Sequence, residues 1–168
     1  MKTLCLVALT AAFAAALQAR PARVAAPIAA QNDRGDLPEG EGRDTVVRRC
    51  VTSCHPATAL TRARHTRDQW RSFIGLMRYK GKGVTLTDED FKTVLTYLHR
   101  HFGSANVNGE PAEDLEAALD IPAGTAAAIV KYRDDHGEFR SLEDLAGVPG
   151  LTREAVESRK NRIVFKPW

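Results

Sequence analysis

Cysteine is scarce in this chain and methionine scarcer: three and two respectively in 168 residues. So few thiols exclude a small disulfide-built scaffold and leave no Cys/His set of the zinc-finger kind. Aromatic residues make up only 7%. Long apolar runs are absent but for Leu4 to Leu17, which is short of the roughly 20 residues that span a membrane. There is no glycine-rich phosphate loop, and no nucleophile stands beside an evident base. The reading therefore expects no enzyme. Neither sign of charge dominates: 24 Lys and Arg against 21 Asp and Glu, a net of +3.

What is present begins with an address. Lys2, the apolar run and the small residues around Ala16, Ala19 and Ala26 read as a secretory signal peptide over residues 1–26. Cys5 is expected to leave with it. Residues 27–36 are polar and aperiodic, a linker. The mature chain is then expected to lack a transmembrane segment and to be periplasmic or secreted.

The two remaining cysteines lie in Cys50-Val51-Thr52-Ser53-Cys54-His55. Two thiols followed at once by a histidine is the arrangement that captures haem c: the thiols add to the vinyl groups and the imidazole binds iron. The spacing here is CxxxCH, one residue longer than the usual form. Met77, the one methionine besides the initiator, is the expected second axial ligand. A core-filling role is its alternative, and His65, His99 and His101 are rival ligands. Export would also permit a Cys50–Cys54 disulfide.

Apolar periodicity predicts helices over residues 42–49, 66–79 (Trp70, Phe73, Ile74 and Met77 on one face) and from Thr87 to the stop at Gly103. A second group is predicted over 111–119, 124–136, 142–147 and 152–160. The expected fold class is all-α.

From LPEGEGRDTVVRRCVTSCH through FIGLMRYKG to LTDEDFKTVLTYLHRHFG, residues 37–103 resemble small class I bacterial cytochrome c domains of three helices. That resemblance implies covalent haem c held by Cys50, Cys54, His55 and Met77, with periplasmic redox partners. Arg62, Arg64 and Arg67 would neutralise propionates or form a solvated basic segment. Residues 107–166, carrying Asn108, Tyr132-Arg133, Gly137, Phe139, Leu142-Glu143-Asp144-Leu145 and Val148-Pro149-Gly150, resemble the ComEA-like tandem helix-hairpin-helix domain of competence DNA receptors.

Helix-hairpin-helix modules hold phosphate on backbone N–H groups of a Gly-x-Gly turn. Here the first pair of glycine positions falls on Asp120 and Pro122. In the second, Gly150 is kept and Thr152 replaces its partner. Residues from Val107 onward carry 8 Lys/Arg against 12 Asp/Glu, a net of −4. Nucleic-acid binding is therefore expected to be weak or absent. The expectation is an exported monohaem cytochrome passing single electrons, with a C-terminal docking module. The alternatives are an exported, haem-free DNA-binding protein of the DNA-uptake type with a Cys50–Cys54 disulfide, and a purely structural interaction protein.

Overall fold

The computed structural model describes residues 37–52, 54–80 and 85–166. The expected signal peptide and linker, Cys5 and the expected Gly81/Gly83 turn lie outside the described residues. The fold is all-α. Its elements are α1 (Arg43–Val46), a π-helical turn (Val47–Val51), α2 (Ala57–Thr61), α3 (Arg67–Lys80), α4 (Asp88–Phe102), β1 (Ala105–Asn106), α5 (Ala112–Leu119), α6 (Ala123–His136), α7 (Leu142–Leu145), α8 (Arg153–Glu157), a 3₁₀ turn (Lys160–Arg162) and β2 (Ile163–Val164).

Local chemistry sets the helix starts. Thr87 Oγ1 accepts from the Asp90 N–H at 3.0 Å, and Asp90 Oδ2 accepts from the Thr87 N–H at 3.3 Å, closing a capping box at α4. Thr66 and Gln69 do the same at α3. Gly103 ends α4 for a steric reason. Its φ of −72° suits any residue, but a Cβ there would lie 2.3 Å from the His99 carbonyl oxygen.

The buried side chains form two clusters. One joins Leu37, Val46, Leu60, Trp70, Ile74, Val94 and Leu98; the other joins Val107, Leu115, Ile129, Phe139, Leu145, Val148 and Val156. The apolar stripe expected on α3 is narrower than its periodicity suggests: Trp70 and Ile74 are buried, but Phe73 and Met77 are exposed at 46% and 42%.

Beside the second cluster, β1 and β2 pair in parallel, Ala105 with Ile163 and Asn106 with Val164. Asn108 clasps the same unit. Its Nδ2 donates to Phe139 O and Phe165 O, and its Oδ1 accepts from the Phe139 N–H.

Polar contacts tie the two clusters together. Arg67 Nη1 meets Asp114 Oδ1 at 3.0 Å, and the Arg67 N–H donates to Glu110 Oε1 at 3.1 Å. The Ser104 N–H donates to His65 O at 2.9 Å. His99, one of the rival ligands, is 1% exposed, with Nε2 3.5 Å from Glu110 Oε2.

Candidate functional site

Cys50, Cys54, His55 and Met77 do share one place. They line an apolar cavity of about 240 Å³ together with Trp70 and Leu98. The turn carrying Cys50 is π-helical, one residue wider than an α turn, and the His55 N–H folds back to Cys50 O at 2.9 Å. Burial, and then the neighbouring Cys54, push the Cys50 thiol up to about 11. Cys54 is exposed, and both thiols are free. His65, a rival ligand, packs on Trp70 and Phe73 with ring centroids at 4.8 and 4.6 Å; His101 packs on Tyr97 at 4.4 Å.

The second arrangement is a pair of turns. Between α5 and α6 stand Asp120, Ile121 and Pro122. Asp120 is left-handed (φ 52°, ψ 57°), Ile121 is buried, and Pro122 is the N-cap of α6. Between α7 and α8 stand Gly150, Leu151 and Thr152. Gly150 has φ 84°, Leu151 is buried, and Thr152 caps α8 by accepting from the Ala155 N–H at 3.1 Å. The two turns thus repeat one conformation: a positive φ, a buried aliphatic, then an extended cap. Aspartate is among the few residues that enter the left-handed region without glycine's freedom. The sequence change at Asp120 therefore alters the turn's charge while leaving its backbone path intact. Pro122 removes one N–H, but the Thr125 and Ala126 N–H groups close on Pro122 O, and Ala123 and Gly124 remain exposed at the start of α6.

Sequence reasoning passed over Arg159. Its Nε donates to Leu119 O at 2.6 Å and its Nη2 to Asp120 O at 3.1 Å, so it braces the first turn from the far end of the second hairpin. Arg162 donates from Nε to Gly103 O at 3.0 Å and from Nη2 to Arg100 O at 2.7 Å. The available signal was Arg153, Arg159, Lys160 and Arg162 within one short stretch of an otherwise acidic tail.

Residues 102–164 match the helix-hairpin-helix motif family. An uncharacterized protein of Haemophilus influenzae is 38% identical over 61 residues, covering 36% of this chain and 54% of that protein. ComE operon protein 1 of Bacillus subtilis is 31% identical over 61 residues, covering 36% of this chain and 30% of its own length. The chain thus spans about half of the first relative and less of the second. No solved structure matches.

These findings overturn the haem c expectation. The matching family is the helix-hairpin-helix motif family, and one relative is ComE operon protein 1. The cavity residues do not fit the group either: about 240 Å³ lies below the roughly 300–1,000 Å³ of cofactor-sized pockets. Met77, the expected axial ligand, is 42% exposed. Among the described residues, no three or more His, Cys, Asp or Glu side chains gather to hold a metal ion. The expected cytochrome, iron and electron-transfer role, and the redox partners it implied, are corrected by this match. Arg67, expected either beside propionates or in a solvated basic segment, pairs with Asp114. No helix of the described residues is long and apolar enough to cross a membrane. Over residues 102–164 the chain is similar to the helix-hairpin-helix motif family.

Proposed function

We propose that this chain is an exported bacterial DNA-binding protein of the DNA-uptake type, in which the helix-hairpin-helix unit grips the phosphate backbone without reading bases. The observation that carries this reading is the repeated turn. Asp120 and Gly150 both have positive φ, and each is followed by a buried aliphatic and a helix cap. That path brings a helix start to the surface, where backbone N–H groups and the helix dipole favour an anion. The relation to ComE operon protein 1 of Bacillus subtilis supports the same class.

Affinity is held down by the residues that replace glycine. Asp120 adds a negative charge at the turn, Pro122 removes a donor, and Thr152 uses its hydroxyl to cap its own helix. Fluorescence anisotropy of the mature chain with a mixed-sequence duplex tests the proposal. Binding is expected at the weak end of the non-specific range, about 10⁻⁴ M at physiological salt, strengthening steeply as salt falls. A complete lack of binding at low salt would overturn it.

The second part of the proposal is a Cys50–Cys54 disulfide. Both thiols border one cavity, and the His55 N–H next to Cys54 donates to Cys50 O at 2.9 Å. Forming the bond removes one hydrogen from each thiol. The two electrons and two protons pass to a protein disulfide, which becomes a dithiol. Intact mass of the exported protein, lower by two hydrogens than the reduced chain, is the check. A mass unchanged by reduction refutes the bond.

A further inference from the structure

We propose that Arg64, Arg159 and Arg162 form one phosphate-binding surface, built jointly by the two halves of the chain, on which a nucleic-acid backbone lies. This rests on the DNA-binding reading above and extends it beyond the hairpins.

The three guanidiniums come from separate segments. Arg64 follows α2 and is exposed; its Nη1 donates to Thr61 O and Ala63 O, both at 2.8 Å. Arg159 is fixed on the carbonyls of Leu119 and Asp120. Arg162 is fixed on those of Gly103 and Arg100. Each is thus oriented by neutral acceptors, and among the described residues no carboxylate pairs with any of them. The contrast is with Arg49, Arg67, Arg71 and Arg78, all of which pair with aspartates.

The three also lie together: the Arg162 N–H donates to Arg159 O at 2.8 Å, and Ser104, next to the Gly103 that holds Arg162, donates its N–H to His65 O, next to Arg64, at 2.9 Å. Burial first, and then Arg64 and Arg159, push the Arg162 pKa down, against the single carboxylate of Asp120. Holding like charges together is unfavourable, and an arginine cannot relieve it by losing its proton. An anion relieves it. The free donors suit one: Arg162 Nη1 and Arg64 Nη2 and Nε have no acceptor among the described residues, and a guanidinium edge donates to phosphate oxygens in pairs.

Position selects nucleic acid. Arg159 touches the very turn that leads into the exposed start of α6. A strand whose phosphate rests at that helix start continues across the arginines. The surface thereby offsets the charge and donor lost at Asp120 and Pro122, and it explains how an acidic C-terminal unit can hold a polyanion when joined to the basic first half.

The test uses the mature chain, a mixed-sequence duplex, and salt varied from about 50 to about 200 mM. Arg64→Gln, at an exposed side chain, is expected to lower the slope of log K against log salt by about 0.9, one phosphate contact. Arg64→Lys should restore most of it. Arg71→Gln, which removes an exposed arginine already paired with Asp68, should leave the slope unchanged. If the native chain binds and Arg64→Gln keeps its full slope, this surface is refuted and the hairpin reading stands. If the native chain does not bind, both fall. If Arg64→Gln instead abolishes binding to phosphatidylserine vesicles while duplex binding is unaltered, the ligand is a lipid surface and the proposal is wrong.

Discussion

Arg67 meets Asp114 across the junction of the two hydrophobic clusters, Nη1 to Oδ1 at 3.0 Å, with the carboxylate side chain 10% exposed. The same residue's N–H reaches Glu110 Oε1, so one arginine serves two enclosed carboxylates. Burial holds the Asp114 carboxyl above its usual range, and Arg67 counters this only in part. Arg67→Met therefore leaves a charge without its partner. A loss of about 3 kcal/mol is expected, read by denaturant unfolding. A loss below about 1 kcal/mol would show that the pair is too solvated to matter.

Asp90 gives the acid limb of stability. Burial raises its pKa, but hydrogen bonds from Arg49 and Thr87 outweigh burial and leave it below the ordinary 3.8. A depressed carboxylate contributes stability that is present above its unfolded value and is lost as pH falls through the folded value. Stability should decline below pH of about 4, and Asp90→Asn should flatten that limb. An Asp90→Asn curve parallel to the native one would contradict the assignment.

Gly103→Ala should destabilise by about 3 kcal/mol, the upper end for overpacking. The added Cβ meets the His99 carbonyl at 2.3 Å and the His99 ring at 2.6 Å. Thermal unfolding checks it. A neutral outcome would mean the end of α4 moves freely.

Much of this was legible in advance. Thr66 and Thr87 marked helix starts because their side chains cap the residue three positions on, and Pro111 because a helix start has no need of its missing N–H. Gly103 was readable as a stop, though a left-handed cap is the usual reason and a close contact is the actual one. The β1–β2 pair was not legible, because two-residue strands 58 positions apart leave no periodicity to read. Nor was the burial of His99, since its partner Glu110 comes from the other side of the junction. The CxxxCH run is compatible with haem capture by its residue types alone, whereas the size of the cavity they border and the exposure of Met77 are set by packing that the run does not encode.

In the reduced chain, Cys54 should react first with alkylating reagents. The thiolate is the nucleophile; Cys54 is exposed, whereas the half-buried Cys50 thiol is pushed up to about 11. Peptide mapping after brief alkylation at neutral pH reads the order. Equal labelling would show that the π-helical turn opens readily.

Asp120→Gly should strengthen duplex binding several-fold without loss of stability. It removes the negative charge while keeping a residue suited to φ of 52°. Anisotropy titration is the measurement, and unchanged affinity would place the phosphate away from the first turn.

The Asn108 clasp has a consequence for the order in which the unit assembles. Each hairpin closes between near neighbours, so its loop entropy is small. Asn108 must wait for Phe139 and then for Phe165, at separations of 31 and 57 residues, and β1 waits for Ile163. The hairpins are therefore the early structure, and the latch that joins them is set late, once the far segment has returned. Weakening that latch, as Asn108→Ala would, should speed unfolding more than it slows folding.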